Sequence, residues 1–173
     1  MIERRAIGLG EVRADARTLT GYALTYGAEA RIGGNVETIA PGAVAATLAA
    51  GSDVLALVDH DPAKVLGRTR SGTLRLSDEA RGLAFRVELP DTTAARDVLA
   101  LVERGDAGGM SFGFTVPAGG DEWRGGRRTL RRIHLHEISV ITSHPAYAGT
   151  TVEARARAAG EVEALRLRLR LYA

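Results

Sequence analysis

A chain of 173 residues, 45% hydrophobic and 25% charged with a formal net charge of +2, has room for one ordinary domain and a short extension, not for two full domains. No apolar run approaches the roughly 20 residues of a membrane-spanning helix, and the N-terminal MIERRAIGLGEVRAD has neither the apolar core nor the small-residue cleavage site of a secretory signal, so no membrane or export role is expected. Cysteine is absent, which excludes disulfides, thiolate metal sites and cysteine nucleophiles and leaves an oxygen or an amine for any covalent chemistry.

Strand patterns dominate. In chain order, TLTGYALTYG, NVETIAP and VLALVDH are short alternating or β-branched runs, and AVAATLAA after Pro41 and Gly42 is a short helix ending at Gly51. RTRSGTLRLSDEARGLAFRVELP folds back on itself as a hairpin turning between Asp78 and Gly82. The clearest helix runs from Thr92 to Arg104, with Asp91 or Thr92 to cap its free amides, Gly105 to stop it, and Ala94, Ala95, Val98, Leu99 and Val102 on one face. MSFGFTVPA and RTLRRIHLHEISVIT are strands separated by a Gly- and Arg-rich loop. With roughly seven or eight strands and few helices, the expected class is α+β, an antiparallel β-barrel flanked by helices. After Val152 the composition turns Ala-, Glu- and Arg-rich and ends in LRLRLRLYA, which fits a strand or an interrupted helix; residues 1–152 are taken as the domain and 153–173 as a C-terminal extension.

The candidate chemistry rests on three residues. His60 closes the apolar strand VLALVDH, where a rigid scaffold presents side chains to a cleft, and an imidazole suits general-base work near neutral pH. Ser111 follows Gly108, Gly109 and Met110 and precedes FGFTV, so it stands at a strand entry where glycines admit a substrate backbone; a turn serine would show the same surroundings. Glu137 falls in a strand in which Ile133, Leu135, Glu137, Ser139 and Ile141 share one face, placing a carboxylate in an apolar row. Such a buried charge requires a partner, either a structural arginine, Arg68 or Arg86, or an imidazole. His134 and His136 face the other way. His60, Asp61, His134, His136 and His144 are the only material for a metal site, and they lack any compact ligand motif beyond His134-x-His136, so no metal or cofactor is expected. Arg124, Arg127, Arg128, Arg131 and Arg132 surround Gly125 and Gly126, a pattern of a solvated hairpin; with only Trp123 nearby to stack on bases, nucleic acid is not the expected partner.

DHDPAKVLGRT, GLAFRVELPDTTAARDVLALVERG, MSFGF and LHEISVITSHPAY, in that order and with ETIAPGAVAATL upstream, strongly resemble the prohead, or capsid-maturation, serine protease family of tailed phages over residues 20–150. The resemblance implies a fold like the herpesvirus assemblin protease, with His60 from DHDP as base, Ser111 from MSFGF as nucleophile, and the third member in LHEIS. Strand phase favours Glu137 there over the adjacent His136. It further implies oxyanion donors in the loop SHPAYAGT, cleavage of scaffolding segments or the major capsid protein inside the procapsid in the bacterial host cytoplasm, self-cleavage, and a possible homo-oligomer. The rival reading is a non-catalytic capsid-assembly module on the same fold.

Overall fold

The computed structural model describes residues 1–9, 12–107 and 109–142. Strand β1, Glu3–Leu9, is followed by β2, Arg13–Asp15, β3, Thr18–Thr25, β4, Ala30–Ile32, and β5, Asn35–Ile39. Helix α1, Ala45–Ala49, leads to β6, Leu55–Val58, β7, Asp61–Arg68, β8, Leu74–Glu79, and β9, Gly82–Glu88. Helix α2, Thr93–Arg104, precedes β10, Gly109–Thr115, β11, Asp121–Arg124, β12, Arg127–Leu130, and β13, His134–Ile141.

Two local readings hold closely. Helix α2 begins where the Thr92 hydroxyl accepts the Ala95 amide and ends at Gly105, whose φ of 78° only glycine adopts freely; Ala95, Val98 and Val102 are its buried stripe. The β8–β9 hairpin turns through Ala80 and Arg81, with Glu79 paired to Gly82.

The expected closed antiparallel barrel is not formed among the described residues. The strands make three sheets, in the orders β1-β10-β13-β6-β7, β11-β12-β5-β4 and β2-β3-β9-β8, and their number exceeds the seven or eight expected because β1, β2, β4, β7 and β11 form in segments without a clear strand pattern and RTLRRIHLHEISVIT yields both β12 and β13. Two pairings are parallel, β5 with β12 and β6 with β13. The cause lies in the connections. The chain crosses from the second sheet to the first twice in the same direction, once from β5 through α1 to β6 and once from β12 to β13. RTLRRIHLHEISVIT is thereby split between two sheets. The gap is bridged where Ile133 N donates to Ala43 O and where the buried Thr47 hydroxyl donates to Ile133 O and accepts from Leu135 N.

One face of the five-stranded sheet carries both an apolar and an ionic group, because Arg5 pairs with Phe112 and its guanidinium lies over the Phe114 ring. Phe112 and Phe114 stack at 5.4 Å, completely buried with Leu19, Leu24, Leu83, Leu130 and Ile133. A second buried group is ionic: Glu37, 4% exposed, takes two bonds from Arg5 at 2.5 and 2.9 Å and one from Arg128 at 3.0 Å, while Arg128 also binds Glu3 and Asp121. This cluster joins β1, β5, β11 and β12, and it is the pairing that lets so many charges be buried.

Candidate active site

Only Asp59 and His60 connect β6 to β7, and both have positive φ, 48° and 62°. Two consecutive left-handed residues make the hairpin turn whose twist matches its strands. Aspartate tolerates that region, but histidine pays on the order of 1 kcal/mol for it, so the surroundings must hold it there. They do so through β13. Asp59 N donates to Val140 O at 3.0 Å, Thr142 N donates to Asp59 Oδ1 at 2.9 Å, the Thr142 hydroxyl donates to Asp59 Oδ2, and His60 N donates to Ser139 Oγ at 3.2 Å.

The imidazole then meets Glu137, with Nδ1 and Oε1 2.6 Å apart. A carboxylate only accepts, so Nδ1 carries the hydrogen and Nε2 of the neutral ring is a free base. That Nε2 is buried and has no hydrogen-bond partner. Glu137 Oε2 accepts from Ser139 Oγ at 2.7 Å, and Arg4 of β1 lies 3.8 Å from Oε1. Room for the carboxylate comes from Gly113, directly opposite: a Cβ there would stand 3.1 Å from Glu137 Cγ and Cδ and overlap Oε1.

The strand register puts Ser111 opposite Ser139, and Gly113 opposite Glu137, so these four share one face of β10 and β13. Ser111 is 1% exposed, and its hydroxyl donates to the Arg5 carbonyl at 2.8 Å instead of to His60. Ser111 and the His60–Glu137 pair are thus on the same sheet face without a hydrogen bond between Ser111 and His60.

Glu137 meets an imidazole, but β13 does not present the single apolar row expected around it. Register slips by one between Gly113 and Phe114, so Leu135 pairs with Phe114 and Ile138 with Phe112 on the core face, opposite to Glu137 and Ser139. The bulge at His136 breaks the presumed single row, and Ile133 lies before β13. Ile138 and Val140 are buried too, so β13 is covered on both faces and simple alternation does not describe it. His136 bonds the Thr115 hydroxyl at 3.0 Å, and His134 is exposed. Neither proposed arginine serves Glu137: Arg68 pairs with Asp53, and Arg86 reaches the Thr18 hydroxyl. Arg4 and Ser139, the neighbours actually found, carried no recognisable sequence signal beyond Ser139 sharing the period of Glu137.

Among the described residues no group of three or more His, Cys, Asp or Glu could hold a metal ion. Asp61 instead accepts from the Ala63 amide and pairs with Lys64, which together hold its carboxyl below the usual range. His144, the loop SHPAYAGT and the C-terminal extension lie outside the described residues. The arginines of the β11–β12 hairpin are largely neutralised: Glu122 pairs with Arg124 and Arg131, Glu29 with Arg127, and Asp121 with Arg128. No helix among the described residues is long and apolar enough to cross a membrane.

A family model described as caudovirus prohead serine protease matches residues 4–164. No curated protein matches the chain. Among solved structures, the capsid assembly protease gp21 of bacteriophage T4 is similar in fold, with a TM-score of 0.56 at 10% sequence identity, over 81% of this chain and 96% of that one.

Proposed function

The chain belongs to the caudovirus prohead serine protease family and is a capsid-maturation protease, and we propose that Ser111 is its nucleophile, His60 its general base and Glu137 the group that orients the base. The observation that carries this assignment is the buried His60–Glu137 bond of 2.6 Å, which leaves Nε2 without a partner beside the sheet face that bears Ser111. In the reaction His60 Nε2 takes the Ser111 proton as Oγ bonds to the substrate carbonyl carbon. The tetrahedral intermediate then expels the amine, which receives that proton from His60. Water repeats the sequence on the acyl-enzyme, returning the proton to Ser111. Glu137 fixes the Nδ1–H tautomer and stabilises the imidazolium formed in each half-reaction.

Capsid proteins are the substrates this role implies, and we assign the scaffolding segments and the major capsid protein to it, cut inside the procapsid in the host cytoplasm. Three finer points belong to the same reading: assemblin-like chemistry, oxyanion donors from SHPAYAGT, and a domain ending near residue 152, with the extension beyond it open to self-cleavage.

The test is co-expression with the neighbouring capsid gene product, read by intact mass and single-turnover rates, with circular dichroism to verify folding. Ser111→Ala and His60→Ala abolish cleavage. Glu137→Gln retains slow turnover, a loss that can still be on the order of 10⁴ yet is roughly one to two orders smaller than loss of the nucleophile. His136→Ala is nearly silent. A His136→Ala enzyme as damaged as His60→Ala, beside a wild-type Glu137→Gln, would move the third role to His136.

A further inference from the structure

We propose that Ser139 is a positioning residue that fixes the base and its carboxylate relative to one another; this rests on the reading of His60, Ser111 and Glu137 given above. Ser139 is fully buried, at 0% exposure, and directly opposite Ser111 in the β10–β13 register. Its hydroxyl makes two bonds, to His60 N at 3.2 Å and to Glu137 Oε2 at 2.7 Å. Their directions are forced. A backbone N–H can only donate, so the hydroxyl accepts there, and its single hydrogen goes to the carboxylate.

Each bond restrains a different part of the His60–Glu137 pair. The terminal torsion of a glutamate is broad, so a carboxylate held only through Oε1 can swing about that contact; Ser139 pins Oε2 and thereby fixes the plane presented to Nδ1. The bond to His60 N holds the backbone of a residue whose φ of 62° is unfavourable for histidine. One buried hydroxyl therefore sets the backbone of the base and the orientation of its partner together. It touches neither the reacting oxygen nor Nε2, so its action passes through His60 and Glu137.

The experiment uses the full chain and a fluorophosphonate probe, which reacts with an activated serine without needing a peptide recognition sequence. Ser111 Oγ bonds to phosphorus, fluoride leaves, and the serine proton passes to His60. Labelling rate is read by intact mass, beside cleavage of the capsid substrate and the NMR resonance of the His60 Nδ1 proton. Ser139→Ala is expected to slow labelling and cleavage by on the order of 10- to 100-fold, the scale of a displacement near 1 Å in a reacting group. The Nδ1 proton signal should shift or broaden through exchange, and KM should stay close to wild type. Ser139→Cys, which keeps a weak donor of similar size, recovers part of the rate. Wild-type labelling and an unchanged Nδ1 signal in Ser139→Ala, with Ser111→Ala unlabelled, overturn this inference alone. A Ser111→Ala chain that still labels at the normal rate overturns the site reading beneath it. Should Ser139→Ala fail to fold, the folded Ser139→Cys decides: a reduced rate with an altered Nδ1 signal supports the role, and a normal rate with a normal signal refutes it.

Discussion

Gly113→Ala is the smallest change that reaches the centre of this site without altering any of its polar groups. Gly113 lies in β10 without a positive φ, so alanine meets no backbone penalty, and glycine in a strand interior is otherwise less stable than alanine by roughly 0.5–1 kcal/mol. Propensity alone therefore predicts a gain. The added methyl overlaps Glu137 Oε1 and stands 3.1 Å from Cγ and Cδ, so the carboxylate must retreat by about 1 Å to restore ordinary contact. Its bonds to His60 and Ser139 are only 2.6 and 2.7 Å long, and one of them breaks. A buried hydrogen bond to a charge is worth about 1.5–3 kcal/mol, so after the propensity gain the net loss is about 1–2 kcal/mol. With a urea slope of 1–3 kcal/mol/M, the midpoint falls by about 0.3–2 M. Cleavage falls about 100-fold for a displacement of that size. The decisive measurement is the double-mutant cycle by urea unfolding: in a Glu137→Ala background, the clash is gone and Gly113→Ala becomes neutral or stabilising. The same destabilisation in both backgrounds, or a Gly113→Ala enzyme with normal rate and midpoint, would refute this account of why a glycine stands opposite Glu137.

Asp59→Asn keeps one acceptor for Thr142 and a residue that tolerates φ of 48°, whereas Asp59→Ala loses both, so its urea midpoint lies lower than that of Asp59→Asn by the equivalent of about 1–2 kcal/mol; equal midpoints would remove the turn from the site's support. Glu37→Ala leaves Arg5 and Arg128 short of a buried anion and costs about 3 kcal/mol, against less than about 1 kcal/mol for Glu29→Ala at the exposed Arg127 pair. The hydrogen bond from Arg128 holds the Glu3 carboxyl below its ordinary 4.5, so its stabilisation is complete above that pH and is lost as pH falls through the lowered folded value; Glu3→Gln should flatten the acid limb of a stability–pH curve. Capsid-protein cleavage survives EDTA and phenanthroline; a loss restored by zinc would favour metal chemistry.

The sequence by itself determined the elements whose signals are local. Thr92 and Gly105 mark the ends of α2 because capping is decided within one turn of chain, and the hairpin at Asp78–Gly82 is likewise a short-range matter. Glu137 could be singled out because a carboxylate among apolar residues is unusual wherever it falls, whereas Ser111 stood out only through the resemblance carried by MSFGF, since serine is common in glycine-rich turns. Tertiary structure decided the rest. Which strands pair, and that two pairs are parallel, depends on connections that no periodicity encodes, so the closed barrel inferred from strand count did not form. The bulge at His136 depends on the partner strand β10, and one slipped residue moved Leu135 to the face opposite Glu137. Arg4 and His60 reach Glu137 from positions 133 and 77 residues away in the chain. Arg5 and Arg128 converge on Glu37 in the same way, because electrostatic and hydrogen-bond partners are chosen by distance in space, and spacing along a sequence carries almost no information about that.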